Sequence, residues 1–432
     1  MPQIAKITDL VDWRLCLGCG ACAYICPQQK VTLMDFFAEG IRPVVDTTSC
    51  GSCRECLDVC PAVHSDFSVP HSGSGSDSQV SLGREWGPVV AIWEGHAVDP
   101  AIRYHGSSGG ALTAIGTYCL EVLGMPGVLH IAQDPEEPIR NRTRLSRTRE
   151  ELLAATGSRY SPASVCNGLG LVEAASAPCV VIGQPAEIAA VRNACKLRPA
   201  IARKVGVALS FFCAGSPSTR GTLDLLEKLG VNPTQIRTLR YRGQGWPGHF
   251  APVLDGESLP CHRLPYRESW AFLQAYRPWS VQLWPDGAGE LADISCGDPW
   301  YAEPDGENPG FSLVLARTAH GREIVEGAIK AGYLSLKPAE GWKVVQSQKG
   351  LLQKKGAVWG RRWAMHLLGL PTTKIEGLEL SKIWRQLSFK DQLRSTLGTI
   401  RRILTRKLYR SLKLNPLESE RVKPAMIGIK GA

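Results

Sequence analysis

The sequence lacks any long apolar run. In 432 residues, no stretch reaches the roughly 18 to 20 uninterrupted apolar residues that a membrane-spanning helix requires, so a spanning topology is excluded. Residues 1–11 also lack the apolar segment of a secretory signal peptide. We therefore expect a cytoplasmic protein. The contents of 44% hydrophobic and 21% charged residues are those of a globular protein, and the length predicts two or three domains.

Most of the chain also lacks an excess of positive charge. Residues 1–348 contain 31 Lys and Arg against 35 Asp and Glu, whereas residues 349–432 contain 19 against 5. The body of the protein therefore needs no polyanionic partner, while the last fifth is suited to contact something acidic. Because no nucleic-acid-binding motif accompanies this charge, we expect no specific binding of nucleic acid.

Cysteine, in contrast, is plentiful. Eight of the 15 cysteines form two runs of the pattern C-x2-C-x2-C-x3-C-P near the N-terminus. This is the spacing of a two-cluster ferredoxin, in which the fourth cysteine of each run binds the cluster of the other run. The sequence therefore predicts two [4Fe-4S] clusters, one on Cys16, Cys19, Cys22 and Cys60, the other on Cys50, Cys53, Cys56 and Cys26.

Two other uses of cysteine account less well for this pattern. A structural zinc ion takes four ligands in all and does not require two runs of four, each followed by proline. A disulfide framework requires an oxidising compartment, for which the N-terminal residues carry no signal. We therefore favour iron–sulfur clusters over both.

Changes in composition divide the chain into five predicted parts. A ferredoxin-like domain covers residues 1–64. A flexible linker covers residues 65–84, because Pro70 to Ser78 is a run of small and polar residues. Residues 85–150 and 151–345 form the two parts of a central domain, and residues 346–432 form a basic helical tail.

The central part alternates apolar strands with helices. The strands are apolar throughout, which favours a sheet covered on both faces. Residues 230–345 are richer in Gly, Pro and Trp and are predicted to form an α+β portion that closes over the site. The fold class is therefore α+β with an α/β core. Strands are predicted at Val89–Trp93, Val128–Ile131, Cys179–Ile182 and Val205–Leu209, and helices at Ala111–Glu121, Pro185–Ala194 and Thr219–Leu229.

A glycine-rich turn precedes the first of these helices. Gly106–Gly110 offers backbone N–H groups and two serine hydroxyls, and the following helix N-terminus adds the positive end of its dipole. A phosphate group fits such a turn. On its own, the turn is equally well explained as a helix cap.

The order of several short motifs resembles one known family. After the cysteine runs come Arg103–Gly110, Gly157–Tyr160, Ile182–Pro185, Phe212–Ser218 and Ala292–Asp298. In this order the chain resembles the coenzyme F-420 hydrogenase/dehydrogenase beta-subunit family. The resemblance implies a cytoplasmic iron–sulfur flavoprotein that holds FAD. Members of the family include subunits that reduce a deazaflavin coenzyme and ferredoxin-dependent reductases of chlorophyll pigments.

The resemblance also implies which residues contact the cofactor. Two segments would lie against the flavin or its diphosphate, and Arg159 would supply a bidentate fork to the diphosphate. His105 and Tyr160 are candidate catalytic residues near the isoalloxazine ring. The cofactor-binding residues implied are Ser107, Ser108, Gly109, Gly110, Gly157, Ser158, Arg159 and Tyr160.

Three functions are consistent with this resemblance. The first is an oxidoreductase that passes electrons between two [4Fe-4S] clusters and FAD, to or from an organic substrate or a deazaflavin-type coenzyme. Ferredoxin or another redox protein would be its partner. The second is a non-catalytic electron-transfer subunit of a larger redox complex. The third is a sensor or scaffold that no longer binds flavin.

The chain departs from the family pattern at two places. Gln184–Glu187 stands where many relatives have Thr-Pro-Cys-Gln, and Val281–Asp286 stands where they have Cys-x-x-Cys-Pro-Asp, so three cysteines are absent. Only Cys213 and Cys296 remain nearby, and two thiolates cannot hold a further cluster. We therefore expect two clusters, with apolar side chains filling the vacated volume.

The tail is predicted to contain one amphipathic basic helix from Leu380 to Leu412. Such a helix packs its apolar stripe on the body, lies on an anionic membrane surface or docks on a partner protein. The second arrangement would make the protein peripheral to a membrane. The stripe recurs every three or four positions, at Leu393, Leu397, Ile400, Leu404, Leu408 and Leu412.

Overall fold

The computed structural model describes residues 2–46, 50, 53–68, 82–302, 309–414, 416 and 422–428. The Pro70 to Ser78 segment that we interpret as a linker lies outside the described residues. At the edges of the predicted linker the chain is ordered into short elements, since residues 64–66 form a strand and Arg84–Trp86 forms a 3-10 turn.

The N-terminal part folds as a small α+β module. Its β1 and β2 pair as an antiparallel hairpin, with Val31 opposite Val45. Leu10, Ile25 and Leu57 are buried in its interior. The elements are α1 (Ile7–Asp12), α2 (Ala21–Ile25), β1 (Val31–Phe36), β2 (Gly40–Val45), α3 (Glu55–Asp58) and β3 (His64–Asp66).

Among the described residues, nine strands form one large mixed sheet in the order β14-β4-β13-β12-β8-β7-β5-β6-β17. Its centre, β12, β8, β7 and β5, is parallel. The remaining strands are β4 (Ala91–Ala97), β5 (Val128–Gln133), β6 (Asn141–Ser146), β7 (Cys179–Gly183), β8 (Val205–Phe211), β9 (Ile236–Arg240), β10 (His249–Leu254), β11 (Leu264–Pro265), β12 (Ile294–Gly297), β13 (Ser312–Ala316), β14 (Leu334–Pro338), β15 (Lys374–Glu376), β16 (Val422–Pro424) and β17 (Met426–Gly428).

Helices cover this sheet, as the uniformly apolar strands predict: every residue of β7 is buried. The mixed α/β core is therefore confirmed. The helices are α4 (Pro100–His105), α5 (Ala111–Glu121), α6 (Arg149–Ala154), α7 (Leu169–Glu173), α8 (Pro185–Leu197), α9 (Pro199–Ala202), α10 (Thr219–Lys228), α11 (Tyr266–Leu273), α12 (Trp279–Leu283), α13 (Ala319–Lys330), α14 (Gly341–Ser347), α15 (Lys349–Leu367), α16 (Leu380–Arg385), α17 (Phe389–Ser395) and α18 (Leu397–Thr405).

A second, smaller sheet stands apart from the large one. It has the order β11-β10-β9 and lies within residues 230–345. Tyr241 and Phe250 are fully buried in the cluster that it shares with α10 and α11. The irregular composition of this region therefore corresponds to an additional α+β layer beside the main sheet.

The C-terminal segment contains strands as well as helices. β15 pairs in parallel with β3, β16 pairs antiparallel with β1, and β17 pairs in parallel with β6. A purely helical tail is therefore wrong. Strand pairing needs a free edge and only a few residues, which the composition of a short segment does not reveal. The chain end thus ties the N-terminal module to the central sheet.

The single helix predicted from Leu380 to Leu412 is also wrong. Three short helices, α16, α17 and α18, occupy the region. Ser388 starts α17 by accepting a hydrogen bond from the N–H of Asp391 at 3.2 Å, and Thr396 leaves helical geometry with ψ −83°. Of the helices in the described part of the chain, none combines the length and apolar character needed to cross a bilayer.

The face of these helices that packs on the body is not the predicted apolar stripe. Ser395 and Ile403 are buried, whereas Leu393, Leu397 and Leu404 are 40%, 59% and 54% exposed. Small residues win this contact because α15 presents Gly360 to Ser395, and any larger side chain at Gly360 would collide with it. Contact of the outward apolar and basic face with a membrane surface or a partner protein stays a prediction.

Replacing Ile403 with Ala tests which face packs. Ile403 is fully buried among Leu10, Met365 and their neighbours, so the variant should lose about 2–5 kcal/mol of unfolding free energy. Leu404→Ala, one residue further, should change it by about 0.5 kcal/mol or less, because its side chain is exposed. Denaturant unfolding measures both. A larger loss for Leu404→Ala would restore the predicted stripe as the packing face.

Candidate functional site

The first predicted ligand set lies together in the N-terminal module. Cys16 and Cys19 precede or enter α2, Cys22 lies in it, and Cys60 follows α3; all four are buried. Burial raises the pKa of the Cys22 thiol, and the neighbouring sulfurs of Cys19, Cys16 and Cys60 raise it further. The four thiols are therefore close enough to repel one another as thiolates.

The second predicted set lies nearer the surface. Burial raises the pKa of Cys56, and Cys50, Cys53 and Cys26 add to the effect as neighbouring charges. Cys50 and Cys53 are exposed. A cluster on this set would therefore be accessible to another protein.

The two donor sets fit four-iron clusters. Each offers four thiols, and thiolate is the ligand of [4Fe-4S] clusters. Among the described residues, no three His, Cys, Asp or Glu side chains converge closely enough to hold a single metal ion. A zinc ion would gather its sulfur ligands to about 2.3 Å, whereas a cube spreads them over four corners. The assignment of individual ligands stays a prediction.

The first ligand set touches the central domain directly. The N–H of Cys166 donates to the carbonyl oxygen of Cys19 at 3.0 Å. The next residue, Gly20, has φ 87°, and a Cβ there would lie 2.9 Å from the backbone nitrogen of Asn167. Glycine is therefore required twice over, for its left-handed conformation and for this close approach.

A cavity of about 1030 Å³ lies on the other side of this contact. It opens at the carboxyl ends of the parallel strands β7, β8 and β12, where Gly183, Phe212 and Gly297 line it. Ligands of open α/β sheets bind at this edge. Val165, the neighbour of Cys166, also lines the cavity. One layer of residues therefore separates the predicted first cluster from the cavity.

The glycine-rich turn faces the cavity in part. Ser107, Ser108 and Gly110 line it, as do Gly157 and Ser158 of the second motif. The two motifs are joined by a hydrogen bond from the N–H of Ser158 to Oγ of Ser107 at 2.6 Å. The sequence-predicted segments are thus brought together.

Gly109 does not line the cavity, which corrects its predicted contact with the cofactor. Its N–H donates to Oγ of Ser312 at 2.9 Å. A Cβ at this position would lie 2.7 Å from the carbonyl oxygen of Gly95. Gly109 therefore packs the turn onto the sheet rather than presenting an N–H to a phosphate.

Arg159 lines the cavity, but its donors are already used, which corrects the predicted fork to a diphosphate. Its buried guanidinium binds protein oxygens with both Nη atoms and with Nε, and burial lowers its pKa to about 10. All five N–H groups of a guanidinium are then satisfied. The acceptors are the side chains of Asn141 and Gln133 and the carbonyl oxygens of Leu239, Pro138 and Arg140.

His105 lies outside the cavity lining, so the structure contradicts its predicted catalytic position. Its Nδ1 lies 3.3 Å from Nη2 of Arg240. Burial and this arginine lower the pKa of His105, which keeps the ring neutral. Its hydrogen bond therefore orients Arg240 instead of facing a ligand.

Tyr160 does line the cavity, within a group of aromatic rings that sequence reasoning missed. The ring centroids of Tyr266 and Trp270 lie 6.0 and 4.9 Å from that of Tyr160. Trp300 stacks on Tyr266 at 5.5 Å and 9°. We refer to Tyr160, Tyr266, Trp270 and Trp300, all of which line the cavity, as the aromatic wall. Its flat faces suit a planar ligand.

A buried ion pair supports this wall. Arg242 donates to both carboxylate oxygens of Asp298, at 2.9 and 2.6 Å, and its guanidinium lies 4.4 Å from the ring centroid of Tyr266. Trp246 donates its indole N–H to Asp298 at 3.2 Å. The sequence separation of these residues exceeds 50 positions, so no local motif could have revealed them.

Glu187 stands between the cavity and the cysteine module. It lies in the first turn of α8, and its two carboxylate oxygens accept from the N–H groups of Val165, at 2.9 Å, and Gln184, at 2.8 Å. Burial raises its pKa to about 7. Sequence comparison marks this position only as part of an altered turn; the structure makes it the clamp that holds Val165 beside Cys166.

The altered segment at residues 281–286 is packed with apolar groups. Trp284 is buried against Phe67, with ring centroids 6.0 Å apart, and Val281 lies against Gly215. Cys213 and Cys296 both line the cavity. The presence of two clusters rather than three stays a prediction.

Comparison with known families agrees with this arrangement. The N-terminal region described for the beta subunit of coenzyme F420 hydrogenase/dehydrogenase matches residues 92–169, and the C-terminal region described for the same protein matches residues 178–341. A third description, "4Fe-4S dicluster domain", matches residues 15–63. The chain belongs to the coenzyme F420 hydrogenase/dehydrogenase beta-subunit family and carries an iron–sulfur domain.

Individual relatives are more distant. The coenzyme F420 hydrogenase subunit beta of Methanothermobacter thermautotrophicus is 25% identical over 299 residues, which are 66% of this chain and 98% of that protein. The coenzyme F420-dependent sulfite reductase of Methanocaldococcus jannaschii is 21% identical over 340 residues, 74% of this chain and 47% of that protein.

A solved structure shares the fold. A chain of the F420-reducing [NiFe] hydrogenase complex from Methanosarcina barkeri aligns with a TM-score of 0.52 and 20% identity, over 69% of this chain and 99% of that one. At this identity the likeness shows the fold alone. With the family matches, it supports an iron–sulfur protein of the oxidoreductase type that takes part in electron transfer.

Replacing Arg159 with Met tests its corrected role. Five buried oxygens would lose their donor, so the unfolding free energy should fall by about 3 kcal/mol or more. Arg203→Met, at an exposed position, should change it by about 0.5 kcal/mol or less. Denaturant unfolding compares the two. Unchanged stability in Arg159→Met would show that this arginine is held for a ligand and not for the fold.

Proposed function

We propose that the protein is an iron–sulfur flavoprotein oxidoreductase. It passes electrons between two [4Fe-4S] clusters and FAD, to or from an organic substrate or a deazaflavin-type coenzyme. The observation that carries the proposal is the single layer, Val165 and Cys166, between the first cysteine set and the cavity. Relatives named as coenzyme F420 hydrogenase subunits and an F420-dependent sulfite reductase support the redox class.

The cavity residues fit FAD at its sheet edge. Ser107, Ser108 and the N-terminus of α5 at Gly110 would face the diphosphate, and the aromatic wall would lie along the ring system. Bound FAD would supply the hydride and one-electron chemistry. The chain itself would orient the ring and exclude water, since Arg242 and Asp298 neutralise each other behind the wall.

The surface location of the second cysteine set supports an external electron partner. Cys50 and Cys53 are exposed, so electrons would enter or leave there and pass through the buried first set. Ferredoxin or another redox protein is the proposed partner. The pathway then runs from the surface, through both cysteine sets, to the cavity.

The alternative is a non-catalytic electron-transfer subunit of a larger redox complex. It is favoured by relatives that are themselves named as subunits and by the exposed Phe389, Leu393, Leu397 and Leu404 on α17 and α18. Purified protein that exchanges electrons with reduced ferredoxin only after a partner is added would select this alternative.

Cysteine substitution tests the cluster assignment. Protein purified without oxygen should contain about eight irons per chain, as two four-iron cubes require. Cys16→Ser and Cys50→Ser should each remove about four of them, because each breaks one predicted set. Cys261→Ser, at an exposed cysteine outside both runs, is the matched control and should remove none. About twelve irons in the unaltered protein would contradict the two-cluster count.

Removing one ring of the aromatic wall tests the flavin site. Trp300→Ala should weaken FAD binding about tenfold, through lost stacking, while iron content stays unchanged. Trp342→Ala, at a half-exposed tryptophan outside the cavity lining, should leave FAD binding unchanged. Absorption titration of flavin-depleted protein measures both. Equal FAD affinity in the two variants would remove the wall from the cofactor site.

A further inference from the structure

One end of the cavity is lined by cations from a part of the chain that the family does not cover. The C-terminal family match ends at residue 341, whereas Lys354 and Arg361 lie on α15 and Arg402 lies on α18. With Arg277 they line the cavity. We call Arg277, Lys354, Arg361 and Arg402 the cation cluster.

The cation cluster binds only neutral groups of the protein. Nζ of Lys354 and Nη1 of Arg277 both donate to the carbonyl oxygen of Ala214, at 3.1 and 2.9 Å. Arg361 donates to a backbone carbonyl at 2.6 Å, and its buried Nε has no hydrogen-bond partner. Within the described residues, no carboxylate lies within 4.0 Å of the four cations.

Buried cations elsewhere in the same protein are paired. Lys355, the next residue after Lys354, lies 2.7 Å from the carboxylate of Glu290, and Arg242 is held by Asp298. Two adjacent lysines on α15 are thus treated differently. The one that faces the interior has an internal carboxylate, and the one that faces the cavity has none.

The unpaired cations destabilise one another. Burial lowers the pKa of Arg361 to about 10, and the charges of Arg402 and Arg277 lower it further. Burial likewise lowers the pKa of Lys354 to about 7. A buried group of like charges is costly unless an anion neutralises it. The cavity side of the cluster is the open place for such an anion.

We propose that the cation cluster binds a phosphate-bearing group, with two or more negative charges, on the organic substrate of the proposed oxidoreductase. This inference rests on the proposed function, since it assigns the flavin to the serine-rich turn and the aromatic wall at other elements of the cavity. Convergent Arg and Lys donors are the usual ligands of phosphate oxygens. The substrate's anionic part would thereby orient its reactive part toward the wall.

The test measures anion binding to the holoprotein with inorganic pyrophosphate as the probe. Titration calorimetry under anaerobic conditions should detect binding to the unaltered protein. Lys354→Met and Arg402→Met should each weaken it about tenfold or more, since each removes a charged donor. Arg401→Met, which removes an exposed cation one position from Arg402, should leave it unchanged.

A second probe examines the charge of Lys354. Sulfate keeps its charge across neutral pH, so its affinity should rise as the pH falls through about 7, where Lys354 gains its proton. Groups facing Lys354 are Cys213, Arg277, Arg361 and Asp286, and the Lys354→Met variant isolates the contribution of the lysine. The pH dependence should disappear in that variant.

Flavin content, read from the absorption of each preparation, separates the sources of failure. Unchanged flavin with weakened pyrophosphate binding supports the proposal. Lost flavin in Lys354→Met or Arg402→Met would overturn it, because the cluster would then hold the diphosphate of FAD. Absent binding, or equal weakening in Arg401→Met, would also overturn it. Flavin missing from the unaltered protein would instead contradict the proposed function. Circular dichroism confirms that each variant is folded.

Discussion

The close backbone contact between the cysteine module and the central domain is the constraint on which the arrangement depends. Cys19 accepts a hydrogen bond from Cys166, and Gly20 lies against Asn167 with no room for a side chain. On one side of this contact are four buried thiols, and on the other is the cavity. Any substitution that pushed the two apart would lengthen the path for electrons, whichever way they flow.

The chain end reinforces that contact from a distance. β16 adds a strand to the hairpin of the N-terminal module, and β17 adds one to the central sheet. Because these two strands are separated by a single residue, Ala425, they tie both parts together. The same C-terminal segment also supplies three of the four cations in the cation cluster. It thus serves the relative position of the parts and the shape of the cavity at once.

The sequence predicted the features that local pattern encodes. The strand Cys179–Ile182 and the helix Ala111–Glu121 appear at those positions, because a buried strand and a helix after a glycine turn are written in consecutive residues. Arg159 was misread for the opposite reason. Its five acceptors come from three separate segments, so only the folded chain reveals that its donors are used. The break at Thr396 likewise depends on packing against α15, which periodicity does not report.

The central claim is that electrons on the clusters reach the flavin within one chain. Flash photoreduction of the clusters, followed by the flavin absorption bands, tests it most directly. The account predicts that the flavin is reduced in a first-order step whose rate does not change with protein concentration. A flavin that stays oxidised, or a rate that rises in proportion to protein concentration, would contradict it.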